Sequence, residues 1–213
     1  MDGIPNVEFI EGDLRDYNTV QRAVTGVDAI YHIAAAFASP HSNLEYFEIN
    51  GLGTLHVSEV ARTKVPNLRC LVYANTEAVY WSTRDNGRLF DRPISEDMVS
   101  ETKKMPYFLT KWVGEELCMD YHVQYGIPVV SCRFATVLDP SELLDGEDIP
   151  IHWSLAKARV QLRKQAALSC LERQVLKELD EAWETGKRLL ISRCPDGHSY
   201  KQEWADVRDT AKA

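Results

Sequence analysis

What most constrains this chain is an order: short β-rich runs, each handed on to a segment with helical spacing. Val7–Leu14 is the first run and carries Gly12-Asp13; Asp16 then opens a helix with Val20, Ala23 and Val24 on one face and Gly26 as its stop. Ala29–Ala35 is apolar without alternation, as expected of a strand covered on both faces of a parallel sheet. A long helix follows over about 43–64. It has Ile49, Leu52, Val57 and Val60 on one side and the small Gly51, Thr54, Ser58 and Ala61 on another, and both sides are predicted to be buried. Cys70–Asn75 is the next strand, and the polar stretch from Ser82 to Met105 is a long loop. Pro106 begins a helix whose predicted core face is Leu109, Trp112, Val113, Leu117 and Tyr121, ending at Gly126, and Pro128–Phe134 is a further strand. Parallel strands need crossover helices, so this order predicts an α/β fold with a doubly wound parallel sheet.

Beyond Pro140 the pattern changes. An acidic loop over 142–148 leads to a charged helical region with Leu168, Leu171, Val175, Leu179 and Ala182 at helical spacing. Arg188–Arg193 reads as a strand, Pro195-Asp196-Gly197 as a turn, and Trp204–Ala213 as the start of another element. The predicted division is therefore a sheet domain over 1–140 and a smaller, mainly helical subdomain over 141–213 that returns to the sheet near 204–213.

The 213 residues are enough for a sizeable core, and 45% apolar with 26% charged residues is ordinary for a folded, water-soluble chain. A net charge of −8 repels phosphate backbones and anionic membranes, so neither nucleic acid nor membrane is an expected partner. No apolar run approaches a membrane span and the first residues lack the regions of a signal peptide, which makes the cytoplasm the expected location. Five cysteines without a Cys-x-x-Cys pair read as reduced and structural. Cys194 and His198 lie four apart, but a tetrahedral site needs three or four ligands, so no metal is expected.

Tyr107 and Lys111 are four apart on the helix that Pro106 begins, so they share a face, and it is not the apolar one. A phenol titrates at about 10 and a neighbouring ammonium lowers that value, which would make the pair a general acid/base. The spacing is common by chance, and an exposed helical pair is the plain alternative. Thr76 sits at the carboxyl end of a predicted parallel strand, where open α/β sheets bind ligands; a hydroxyl there orients a substrate oxygen or merely serves a turn. Asp13, at another strand end, hydrogen-bonds a nucleotide or serves the turn into the Asp16 helix. His32, inside an apolar strand, reads as a satisfied core histidine, and Asn50, polar in a buried helix, must find partners.

Six motifs follow one another: Gly12-Asp13-Leu14-Arg15-Asp16, Tyr31-His32-Ile33-Ala34-Ala35, Asn50-Gly51-Leu52-Gly53-Thr54, the run from Val72 through Thr76 to Tyr80, Pro93-Ile94-Ser95-Glu96-Asp97, and Pro106-Tyr107 with Lys111, with a weaker echo at Trp204–Asp209. In this order they resemble the extended short-chain dehydrogenase/reductases, specifically the NAD-dependent epimerase/dehydratase family. The resemblance implies a Rossmann-like, NAD(P)-binding domain and a substrate-binding subdomain. NAD or NADP would be held by Asp13, Leu14, Ala34, Ala35, Asn50, Ala74, Phe134, Tyr107 and Lys111. Tyr107 would be the acid/base, Lys111 would hold the nicotinamide ribose and lower the tyrosine's pKa, and Thr76 would complete the catalytic set. Thr76, Glu77 and Thr136 would face the substrate.

The implied activity is hydride transfer on a nucleotide-linked sugar, in an epimerase, a dehydratase or a related carbonyl reductase. The alternative is a catalytically silent scaffold or a nucleotide-sensing module on the same fold. A homodimer through the helices over 43–64 and 106–125 is implied as well. Three departures stand out. No Gly-x-x-Gly-x-x-Gly turn precedes Val7, so a chain truncated at both ends is expected. Trp81 replaces the family's glycine, and Thr136, in Arg133-Phe134-Ala135-Thr136, replaces an asparagine that often touches substrate.

Overall fold

A computed structural model describes residues 5–37, 41–81, 94–103, 105–139, 154–187 and 204–211. The chain divides into two compact units, 1–134 and 135–213. In the first, three parallel strands stand in the order β1 (Ala29–His32), β2 (Cys70–Thr76), β3 (Val129–Phe134). The register sets Tyr31 beside Val72 and Val72 beside Val130, and brings Thr76 level with Phe134 at the carboxyl ends. The parallel α/β sheet is the predicted one.

The helices begin and end for local reasons. Asp16 caps α1 (Tyr17–Val24) by accepting the Asn18 N–H, and Gly26, at a φ of +85°, turns the chain in the left-handed region that favours glycine. The long predicted helix is continuous but not uniform. It runs as α2 (Asn43–Tyr46), a π-helical turn over Phe47–Leu52, and α3 (Gly53–Lys64), with Ser42 and Glu45 forming a capping box at its start. Pro106 opens α4 (Pro106–Tyr125), and Gly126, at a φ of +72°, closes it. The core is Val20, Ile30, Val57, Val60, Leu71, Tyr73, Cys118 and Ile127, with α3 packed against both α1 and α4.

Four expectations are corrected here. Val7–Asp13 has no regular secondary structure and Leu14 lies in a turn, because no strand lies beside the segment among the described residues, and Val7, Phe9 and Ile10 are exposed. Within Ala29–Ala35 only Ala29–His32 is strand and only one face is covered, so Tyr31 is 70% exposed. On the long helix the small-residue side is buried, whereas Leu52 is exposed.

The largest difference concerns α4. Its buried face is Thr110, Lys111, Gly114, Glu115 and Cys118, not the apolar stripe, which is only half-buried. The reason is partnership. Asn50 Nδ2 donates to Thr110 Oγ1 (3.0 Å), Tyr73 Oη donates to the Lys111 carbonyl (3.1 Å), and Glu115 accepts several donors, so most of the polar groups here lose little by leaving water. Gly114 permits the approach, since a Cβ there would lie 2.1 Å from Tyr73 Oη.

In the second unit, β4 (Thr136–Leu138) and β5 (Trp204–Asp206) form a parallel two-stranded sheet, followed by the short α7 (Val207–Thr210). The expected return near 204–213 is β5, which pairs with β4. Ser154 caps α5 (Leu155–Arg163), and Ser169 with Glu172 forms a capping box on α6 (Cys170–Glu184). The two helices are tied by Arg159 and Arg163 on Asp180 (2.6 and 2.8 Å). Of the predicted stripe, Leu171 and Val175 are exposed, while Leu168, Leu179 and Ala182 are half-buried. The readings over 188–200, including the Arg188–Arg193 strand and the Cys194–His198 pair, lie outside the described residues, as does most of the loop from Ser82. Among the described residues no helix is long and apolar enough to cross a membrane.

Candidate active site

The carboxyl ends of β2 and β3 and the first turns of α4 hold most of the predicted catalytic residues. Thr76 ends β2 and caps the 3-10 turn Glu77–Tyr80, its Oγ1 accepting the Ala78 N–H (3.2 Å) while its own N–H donates to Asn75 Oδ1 (2.8 Å). Phe134 lies beside Thr76 in register, Ala74 beside Cys132, and half-buried Glu77 opens the turn. Trp81, just past the turn, meets Phe108 edge-on (centroids 5.7 Å), and Phe108 meets Tyr107 (5.8 Å). An aromatic chain thus ties the Thr76 turn to the first turn of α4.

Tyr107 is half-buried against Phe37 (4.9 Å) and Tyr46 (6.4 Å), and its hydroxyl makes no hydrogen bond among the described residues. Burial, with a smaller push from Tyr46, raises its pKa. This corrects the expectation that Lys111 lowers it. The ammonium lies instead over the Tyr73 ring, 4.3 Å from its centroid. Lys111 is 3% exposed, burial pulls its pKa down to about 8, and no acceptor among the described residues reaches it. A buried ammonium carries three donors and strongly favours acceptors, so this is an unfinished site.

Asn50 is complete. Its Oδ1 accepts the Ala36 N–H (2.7 Å), and its amide donates to the Ala36 carbonyl (3.2 Å) and to Thr110 Oγ1 (3.0 Å). It clamps the segment after β1 to α4 and has no donor left for a cofactor. Thr54 donates to the Asn50 carbonyl (2.5 Å) and therefore accepts from His32 Nε2 (2.9 Å). His32 is the satisfied core histidine expected, held neutral by burial and by the Lys111 charge, with its pKa down to about 4.

The remaining candidates are spread out. Ala34 is exposed and Ala35 half-buried in the segment after β1. Asp13 is exposed, and its carboxylate is held by the Arg15 side chain and N–H, which drop its pKa to about 2. Leu14 packs at Gly53, and its carbonyl meets His56 Nδ1 (2.9 Å). Thr136 opens β4 in the second unit. Cys70, Cys118, Cys132 and Cys170 are unpaired, and among the described residues no cluster of three or more His, Cys, Asp or Glu side chains could hold a metal ion.

Sequence reasoning passed over one centre. Glu115, 5% exposed, accepts from Asn75, Ser131 and Arg133. Burial alone would raise its pKa, but those hydrogen bonds outweigh it and hold the carboxylate ionised. The available signal was its place four residues after Lys111, on the same helix face.

Comparison with known proteins agrees with the geometry. The chain matches the model of the NAD dependent epimerase/dehydratase family over residues 2–213 and belongs to that family. It is 27% identical over 175 residues to a trifunctional UDP-glucose 4,6-dehydratase/UDP-4-keto-6-deoxy-D-glucose 3,5-epimerase/UDP-4-keto-L-rhamnose-reductase of Arabidopsis thaliana, covering 74% of this chain and 25% of that protein. A short-chain dehydrogenase/reductase superfamily protein from Agrobacterium tumefaciens with bound NAD superposes with a TM-score of 0.75 at 24% identity, over 98% of this chain and 61% of the other, and shares the fold. A UDP-glucuronic acid 4-epimerase from Bacillus cereus in complex with NAD matches at 25% identity and a TM-score of 0.51, over 68% of this chain and 42% of the other. The chain thus spans from a quarter to three fifths of the length of these three.

Proposed function

We propose that this chain serves an NAD(P)-dependent epimerase or dehydratase reaction on a nucleotide-linked sugar. The observation that carries the reading is Lys111: a cation almost wholly buried, with no acceptor among the described residues, one helical turn from a half-buried phenol whose hydroxyl makes no hydrogen bond among them either. A ribose diol supplies the acceptors that the ammonium lacks, so the residues present fit the nicotinamide end of the cofactor. Lys111 and Tyr107 would hold that end, Ala34, Ala35, Ala74 and Phe134 would line it, and Asp13 and Leu14 would meet the adenine, with Asn50 acting only through the segment it clamps. When bound, the nicotinamide supplies the redox half of the reaction.

Tyr107 supplies the proton half. Burial keeps it a neutral phenol, ready to donate to a sugar oxygen, while Lys111, one turn along the same helix face and over the Tyr73 ring, would hold the ribose. Thr76 uses its oxygen to accept the Ala78 N–H, which leaves its O–H to donate to a substrate oxygen, with Glu77 and Thr136 as further substrate contacts. Two of the related proteins named above, the Arabidopsis thaliana and Bacillus cereus enzymes, carry UDP-linked sugars in their names, which supports that substrate class. The free cysteines and the absence of a long apolar helix among the described residues go with the cytoplasmic location we propose. A homodimer is supported by the apolar side chains that the two long helices turn outward, among them Leu44, Phe47, Met119 and Val123.

The test is titration with NADH and NADPH followed by a panel of UDP-, dTDP- and CDP-hexoses. Tyr107→Phe is expected to lower turnover by about 100-fold or more while leaving cofactor affinity nearly unchanged. Unaltered turnover, or no binding of either cofactor, overturns the reading.

A further inference from the structure

We infer that Glu115 is a positioning residue that fixes the Thr76 turn against the face of α4 bearing Tyr107 and Lys111, an inference that rests on the function proposed above. Tyr107, Lys111 and Glu115 follow one another at intervals of four, so they are stacked on one face of α4. Glu115 reaches across to both neighbouring strands. Its Oε2 accepts from Asn75 Nδ2 (2.5 Å), Ser131 Oγ (2.6 Å) and Arg133 Nε (3.1 Å), and its Oε1 accepts from Arg133 Nη2.

The link then continues to the turn. Asn75 uses its other end, Oδ1, to accept the Thr76 N–H (2.8 Å), so two hydrogen bonds connect the carboxylate on α4 with the backbone of Thr76. Arg133 carries a second branch. Its Nη1 donates to Tyr80 Oη and to the Glu96 carbonyl (both 2.8 Å), and the guanidinium lies 5.2 Å from the Tyr80 ring centroid. One carboxylate thereby holds both ends of the 3-10 turn and the segment at Glu96.

A buried ion pair is weak support for stability, since well-packed apolar residues often do as well; its best-attested use is to fix register. The geometry here fits that use. Asn75 and Glu115 are both buried, and the carboxylate is filled by donors that all lie on the elements carrying or flanking Thr76. Small displacements of a reacting group cost rate far more than they cost binding.

The experiment compares Asn75→Ala, which cuts the link to Thr76 and leaves the Glu115–Arg133 pair, with Glu115→Gln and Glu115→Asp, all in the whole chain. Amide hydrogen exchange over residues 76–80 is expected to rise about tenfold in N75A and E115Q, with exchange over 29–32 unchanged. In the same variants kcat for the nucleotide sugar is expected to fall about tenfold or more, with KM and NADH affinity held, and E115D to recover part of the loss. If E115Q does not fold, N75A decides alone. Exchange over 76–80 that stays at the wild-type rate in N75A, or that rises equally over 29–32, overturns the inference, and so does an unchanged kcat. Should the wild-type chain show no turnover, the proposed function fails, and the exchange result still decides the role of Glu115.

Discussion

The two units handle polarity in opposite ways. The first buries His32, Asn50, Thr54, Ser58, Asn75, Thr110, Lys111 and Glu115, and ties nearly all of them to named partners; in the second, the buried residues described are Ser154 and Leu155, and the ion pairs of α5 and α6 lie nearer the surface. Buried polar groups fix geometry because any shift leaves one of them unpaired. Surface pairs on amphipathic helices tolerate rearrangement. The contrast locates chemical precision in the first unit, where Lys111 and the Tyr107 hydroxyl stand out as the groups left open among the described residues.

The contrast breaks most readily at Gly114. Gly114→Ala places a methyl where Tyr73 Oη and Cζ lie 2.1 and 2.7 Å away, and displacing that ring also strips the Lys111 carbonyl of its donor. A loss of about 4 kcal/mol in urea unfolding is expected, from overpacking and the lost hydrogen bond together. Tyr73→Phe in the same chain should restore only part of it, because Cζ still crowds the site.

His32 gives the next effect. Its folded pKa, about 4, lies below the ordinary 6.5, so the folded state resists protonation. The stability linked to this histidine is full above pH 6.5 and drains away as the pH falls from 6.5 towards 4, by about 3 kcal/mol in all. Plotting the difference between wild type and His32→Asn against pH should trace that loss; a flat difference would mean the ring is not held neutral. The second unit should give the smallest change. Ser169→Ala removes one half of the α6 capping box and is expected to cost about 1 kcal/mol, read as lost helicity, with the first unit unaffected.

Much of this was readable from residues alone, and what was not has physical causes. Pro106 and Gly126 bracket α4 as their backbone preferences dictate, and Cys70–Asn75 with Thr76 at its end was visible as an apolar run meeting a turn. The orientation of α4 was not. Hydrophobic periodicity points Leu109, Trp112, Val113 and Leu117 inward, yet periodicity scores each residue alone and does not register that Thr110, Lys111 and Glu115 find acceptors, donors or an aromatic ring in β2, β3 and the helix before them. The Tyr107 pKa failed for a related reason: spacing placed Lys111 within reach, but the Tyr73 ring holds it. Val7–Leu14 has strand composition, but a ladder needs a neighbour, and among the described residues no strand lies beside it.

The π-helical turn over Phe47–Leu52 has a consequence for how this region tolerates change. Gly53 donates to the Glu48 carbonyl, five residues back, so the helix holds one residue more than a regular turn would. Each residue of an α-helix advances the azimuth by about 100°, and the surplus residue therefore offsets everything before it from everything after it by that angle. That offset lets Leu44 and Phe47 lie outward while Asn50 and Thr54 both reach inward. Deleting any residue between 47 and 52 other than Asn50 would leave an unbroken helix of regular pitch and carry the Asn50 amide away from Ala36 or Thr110. At this point in the chain the length of the segment is under tighter constraint than its composition.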